Sequence, residues 1–155
     1  FTINVEANEQ LSLEQKDLSI DLQNDEDDNI LQILLVEDNE INIKLVLMIL
    51  KKLGYSADVA INGMEATEAV KIKSFDLILM DLQMPIMDGI EATEIILAGT
   101  PVNNQPKIIA FSANVFNEAR EKCLAAGIHG FLAKPINIQE LSRTIENRKI
   151  ELKIS

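Results

Sequence analysis

From Ile30 onward the chain alternates between short unbroken apolar runs and longer stretches in which apolar residues return every three or four positions. The runs "ILQILLVED", "SADVA", "FDLILMD", "PKIIAFSA" and "IHGFLAKP" have strand length. Each precedes a segment of helical period. "NEINIKLVLMILKKLGY" reads as a helix capped by Asn39 and stopped at Gly54, and "GMEATEAVKIK" as one with Ala66, Ala69 and Val70 on its apolar side. "GIEATEIILA" follows Asp88 as N-cap. "VFNEAREKCLAAG" places Phe116, Ala119, Cys123 and Ala126 on one face and ends at Gly127. "NIQELSRTIENRKI" lines up Ile138, Leu141 and Ile145. Five strand and helix pairs in strict alternation predict an α/β fold, a three-layer αβα sandwich around a five-stranded parallel sheet. Parallel strands need crossover connections, and the helices that make them cover both faces.

In such a sheet ligands bind beyond the carboxyl ends of the strands, near the point where strand order reverses. The first strand delivers Glu37 and Asp38 to that edge, the third Asp81, the fourth Ser112, and the fifth Lys134 followed by Pro135. With strand order 2-1-3-4-5 the first and third strands are neighbours and their carboxylates meet. Three carboxylates together repel one another and would raise at least one pKa unless positive charge intervenes. Mg²⁺ takes one or two carboxylates plus phosphate oxygens and water, and Lys134 adds a further positive charge. An aspartate so placed is a suitable oxygen nucleophile towards a phosphoryl group, because that transfer rests mostly on positioning and charge neutralisation. Asp81 could then carry an acyl phosphate.

Composition bounds the rest. A chain of 155 residues, 47% hydrophobic, suffices for one domain with a real core plus tails. Cys123 is alone, which excludes an intramolecular disulfide or a two-cysteine motif and fits a reducing, cytosolic compartment. No run approaches the roughly 18 apolar residues of a membrane span, and "FTINVEANEQ" lacks the features of a signal peptide. The net charge is −11, but nine acids against Lys16 put −8 of it in residues 1–29 and leave −3 for the other 126. The acidity therefore belongs to a solvated linker containing "NDEDDN", with 30–150 as the folded domain and 151–155 as a C-terminal tail.

The stretches "LLVEDNEINIKLVLMILKKLGY", "DLILMDLQMPIMDGIEAT", "IIAFSAN" and "AREKCLAAGIHGFLAKPI" together resemble the receiver domain of two-component signalling, most closely the receivers of hybrid sensor histidine kinases. The likeness runs from about Ile33 to Ile150 and implies the flavodoxin-like receiver fold. It implies Asp81 as the phosphoacceptor, served by a histidine. Mg²⁺ would lie on Glu37, Asp38, Asp81 and the backbone carbonyl of Gln83. Ser112 would be the switch hydroxyl, Phe131 the aromatic switch residue and Lys134 the ion-pairing lysine, with Lys134–Pro135 commonly cis. The implied partners are a histidine kinase domain on the same polypeptide and a histidine phosphotransfer protein. "FTINV" is similar to the closing strand of a kinase ATP-binding domain. No nucleic-acid or membrane contact and no conventional enzyme activity are expected of this chain, in a cytoplasmic setting with a membrane-anchored parent kinase as an option.

Three features depart from the commonest family pattern: Glu37 stands where many receivers have Asp, Ser112 where Thr is commoner, and Phe131 lacks the hydroxyl of a Tyr. Taken singly, each site residue also has a plain role. Asp38 and Asn39 can cap a helix, Ser112 and Asp81 can be turn residues, Lys134 a surface charge and Phe131 core. Their joint placement carries the reading. An aspartate-nucleophile phosphatase of the haloacid dehalogenase type is the rival from another class, but it wants an acid two residues after the nucleophile, where this chain has Gln83. His129 reads as a structural residue and Cys123 as packing. The first helix is apolar nearly all round, through Ile41, Ile43, Leu45, Val46, Leu47 and Ile49, more than one buried stripe needs.

Overall fold

The computed structural model describes residues 30–113 and 119–154. The acidic segment, "FTINV" and Phe116 lie outside the described residues. Strand β1 (Ile33–Val36) leads to helix α1 (Glu40–Lys52), β2 (Ala57–Ala60) to α2 (Gly63–Ile72), and β3 (Leu77–Asp81) to α3 (Gly89–Ala98). After a short 3₁₀ turn, β4 (Lys107–Ser112) precedes α4 (Ala119–Ala126), and β5 (Gly130–Ala133) precedes α5 (Ile138–Ile154). All the strands are parallel, in the order β2-β1-β3-β4-β5. The order reverses between β1 and β3, so the ends of those two strands lie side by side.

The sheet explains why the central strands are apolar at every position. Successive side chains of a strand point to opposite faces, so a strand covered on both sides must be apolar throughout. Leu77 and Leu79 of β3 pack with Ile33, Leu35, Ile109 and Phe111 against Val46, Ile49 and Leu50 of α1 and Leu141 and Ile145 of α5. Ile78 and Met80 turn the other way, to join Leu34, Val36, Ile108 and Ala110 beneath Ala66, Ala92, Ile96 and Cys123 of α2, α3 and α4. Burying each large apolar side chain contributes about 1.5–3 kcal/mol. Strand β3 is therefore buried along its whole length. Asp81 is the last residue of that strand.

The helices start where their caps dictate. Asn39 accepts from the amides of Ile41 (2.8 Å) and Asn42 (3.1 Å), Asn62 from Glu65 (2.8 Å), and Asp88 from Glu91 (2.9 Å). Each side chain satisfies amides that the first turn leaves open. Thr67 and Thr93 are buried in α2 and α3 with their hydroxyls donating to the carbonyls of Met64 and Gly89, both at 2.7 Å. Helix α5 continues past Ile150 to Ile154. Polar contacts hold this end: Glu151 meets Lys107 at 2.6 Å, and Arg148 Nε donates to the Asp76 carbonyl at 2.8 Å. Among the described residues no helix is long and apolar enough to cross a membrane.

Candidate functional site

Four strand ends converge at the carboxyl edge. Just beyond β1, Glu37 turns inward and is 1% exposed, while Asp38 faces solvent. At the end of β3, Asp81 is 3% exposed. Carboxylate oxygens of Glu37, Asp38 and Asp81 come within 4.8 Å of one another. Lys134 follows β5, joined to Pro135 by a cis peptide, and its Nζ lies 3.2 Å from both Glu37 Oε1 and Asp81 Oδ1. The Lys134 amide donates to the Ser112 carbonyl at 3.0 Å, so the ends of β4 and β5 are tied together where the lysine departs. Ser112 itself is buried. The Gln83 amide donates to Asp81 Oδ1 at 3.1 Å, which fixes the carboxylate from the loop side.

The charges do not balance. The cluster holds three carboxylates, the Lys134 ammonium pairs with two of them, and Oε2 of Glu37 is buried without a hydrogen-bond partner. Burial, with the neighbouring Asp81 carboxyl adding to it and Lys134 opposing it, pushes Glu37 up from 4.5 to about 7. A buried carboxylate oxygen that lacks a donor, inside an all-oxygen cluster short of positive charge, is what a hard divalent cation fits.

Phe131 is half-buried in β5, with the Arg120 guanidinium 4.4 Å from its ring centroid. It borders an open pocket of about 350 Å³ lined also by Leu124, His129 and Glu140. His129 Nδ1 accepts from the Ile108 amide at 3.0 Å, a tie across β4 and β5 that suits a structural residue. Cys123 is fully buried, and burial pushes its thiol up, away from reactivity. The surplus apolar surface of α1 is real: Ile41 is 75% exposed, close in sequence to Asp38.

Three residues shape the loop after Asp81. Ile86 has φ of 74°, and the Met87 amide donates across it to the Pro85 carbonyl at 2.9 Å, making a γ-turn of the rare, strained kind. Gly89 and Gly63 each approach the loop backbone more closely than a side chain allows. "MPIMDG" marked the turn, but nothing local marked these contacts.

The family model of the response regulator receiver domain matches residues 33–146. The chain belongs to this receiver family. Among relatives of this receiver, histidine kinase 5 of Arabidopsis thaliana is 36% identical over 140 residues, covering 74% of this chain and 15% of that protein. Hybrid signal transduction histidine kinase B of Dictyostelium discoideum is 45% identical over 120 residues, covering 71% of this chain and 6% of that protein. The receiver thus spans a small part of the curated relatives that it matches. In structure it is similar to the receiver domain of sensor histidine kinase PA1611 from Pseudomonas aeruginosa, with 37% identity, a TM-score of 0.71, and coverage of 77% of this chain and 98% of that one. That domain was crystallised with a magnesium ion coordinated in its active-site cleft. The receiver domain of Ssk1 from Saccharomyces cerevisiae, crystallised with the histidine phosphotransfer protein Ypd1, is 32% identical with a TM-score of 0.65, over 76% of this chain and 87% of that one.

Proposed function

We propose that this receiver takes a phosphoryl group from a histidine onto Asp81, with Mg²⁺, and passes it to a histidine phosphotransfer protein or converts it into a conformational change. The observation that carries the reading is the position of Lys134, whose ammonium bridges Glu37 and Asp81 at 3.2 Å each while Glu37 Oε2 still lacks a partner.

The chemistry follows from the groups present. One carboxylate oxygen of Asp81 attacks phosphorus; the bond from phosphorus to the donor nitrogen breaks, and its electron pair leaves with the imidazole. Asp81 is held for this by a rigid strand and by the Gln83 amide, which removes much of the entropic cost of alignment. The Lys134 ammonium can follow charge from the carboxylate onto the phosphoryl oxygens. Glu37, Asp38, Asp81 and the Gln83 carbonyl would hold Mg²⁺, which when bound neutralises charge that one lysine leaves uncovered. Ser112 would turn its hydroxyl to the phosphoryl group, and Phe131 would repack with it, beside the open pocket that its ring borders.

The donor would be a kinase domain on the same polypeptide, since relatives of this receiver are hybrid histidine kinases many times longer than it. Ssk1's complex with Ypd1 supports a phosphotransfer protein as the other partner, and exposed Ile41 beside the acidic cluster offers an apolar contact for a helix of such a protein. Residues 30–150, with the last turn of α5 to Ile154, would then be the receiver, and 1–29 an acidic linker behind the kinase. By itself the domain is a signalling module in the cytoplasm rather than a conventional enzyme, its turnover limited to its own aspartyl phosphate.

The test is intact mass after incubation with acetyl phosphate and Mg²⁺. The chain gains one phosphoryl group, and Asp81→Asn gains none. Labelling of the Asn variant would move the acceptor elsewhere. Steady release of phosphate without a retained adduct would favour the phosphatase class instead.

A further inference from the structure

Between Asp81 and α3 the chain forms a loop closed onto itself and gripped at two points by glycine. A Cβ added to Gly89 would lie 2.5 Å from the Asp81 carbonyl oxygen and 3.0 Å from Leu82 Cα, and the Gly89 amide donates back to the Leu82 carbonyl at 3.3 Å. The loop is therefore seated directly on the backbone of Asp81. Its other support is remote in sequence. A Cβ on Gly63, the first residue of α2, would lie 2.6 Å from the Met87 carbonyl oxygen, 2.9 Å from Met87 Cγ and 3.0 Å from Met87 Cβ. Gly63 and Met87 are both buried, so neither has solvent to move into.

The segment between these supports has little slack. Met87 donates across Ile86 to Pro85 in the strained turn, and a β-branched residue with positive φ persists only where its surroundings hold it. A push on Met87 is thus passed along the loop to Gly89 and Gln83, the two loop residues that meet Asp81 at its carbonyl and its Oδ1.

We propose that Gly63 is a positioning residue for Asp81, acting through Met87 and the closed loop, so that the start of α2 sets the aim of a carboxylate that it never touches. The inference rests on Asp81 being the phosphoacceptor. Restoring ordinary contact distance after adding a methyl group requires a shift of several tenths of an ångström, and misplacement by about 1 Å can cost about 10²-fold in rate.

The experiment follows the phosphorylation time course of the full chain by intact mass, with saturating acetyl phosphate and Mg²⁺, for wild type, Gly63→Ala, Met87→Ala and Gly99→Ala. Gly99 ends α3, and a Cβ there meets only the Ile95 carbonyl at 3.4 Å, an unstrained control. Gly63→Ala is expected to be phosphorylated about ten-fold more slowly yet to reach the full one-to-one endpoint. Met87→Ala, which loosens the same link from the loop side, should also be slowed, with Gly99→Ala at the wild-type rate. Metal-free hydrogen exchange should show faster exchange in residues 82–89 for the first two variants. A wild-type rate with only a reduced endpoint would mean that Gly63 merely supports folding, and would overturn the proposal. If Gly63→Ala fails to fold, Met87→Ala decides by the same criterion. Absence of phosphorylation in the wild type would count instead against Asp81 as acceptor.

Discussion

Lys134 sets its Nζ 3.2 Å from Asp81 Oδ1 although β4 lies between the strands that carry them. The same nitrogen is 3.2 Å from Glu37 Oε1, so one side chain reaches over the sheet to two carboxylates that are almost fully buried. Lys134→Ala would leave both without their cation. The metal-free chain should lose about 1–3 kcal/mol, the range for orphaned buried polar groups. Urea unfolding with and without Mg²⁺ checks this, and Mg²⁺ should recover more stability in the variant than in the wild type.

Glu37 gives the site a defined pH response. Its folded pKa of about 7 exceeds the ordinary 4.5, so the folded state holds the proton more tightly. The resulting stabilisation is full below 4.5 and is lost as pH rises through about 7. Metal-free wild type should therefore weaken over that range, while Glu37→Gln should not. At about pH 8 the Gln variant should be the more stable by roughly 1–3 kcal/mol, with a reduced gain from Mg²⁺. Thermal melts in chelator and in Mg²⁺ across the range test both halves.

His129 acts in the opposite sense. Desolvation of its ring, with Lys107 and Arg148 adding to it, holds the imidazole below its ordinary 6.5. The unfolded chain then binds the proton more readily. Stability contributed by neutral His129 is complete above 6.5 and declines as pH falls below it. Melts of wild type against His129→Gln should show an advantage for wild type that shrinks with acidification. An advantage constant with pH would sink the idea.

Ile86 is 77% exposed and holds φ of 74°, a conformation costly for a β-branched side chain. Asn tolerates that region. Since little apolar burial is lost, Ile86→Asn should raise stability by about 1 kcal/mol, a shift of a few degrees in Tm. A lower Tm would mean that the isoleucine packs better than its exposure implies.

Arg148 joins α5 to the foot of β3 through the Asp76 carbonyl and also meets Glu151 at 3.4 Å. Arg148→Ala should cost about 1–2 kcal/mol in urea unfolding. Being at the opposite end of the sheet from Asp81, it should leave the phosphorylation rate unchanged.

The sequence by itself determined the alternation of strands and helices, the two-sided burial of β3 and the set of residues brought to the strand ends. Those properties are carried locally, by apolar runs, helical spacing and caps such as Asn39 and Asp88. It also indicated that a cluster of acids would raise a carboxyl pKa, but not which one. Burial decided that: Glu37 turns under the edge and Asp38 out of it. The last turn of α5 escaped the pattern because polar contacts, rather than an apolar stripe, hold it. Thr67 and Thr93 are buried polar residues that the apolar spacing does not mark, and their hydroxyls bond within their own helices. Only the tertiary structure could place Gly63 against Met87 or bring Lys134 across β4, because such contacts depend on the packing of elements distant in the chain. The residues gathered at the strand ends can be read along the chain; the forces that position them arise between its parts.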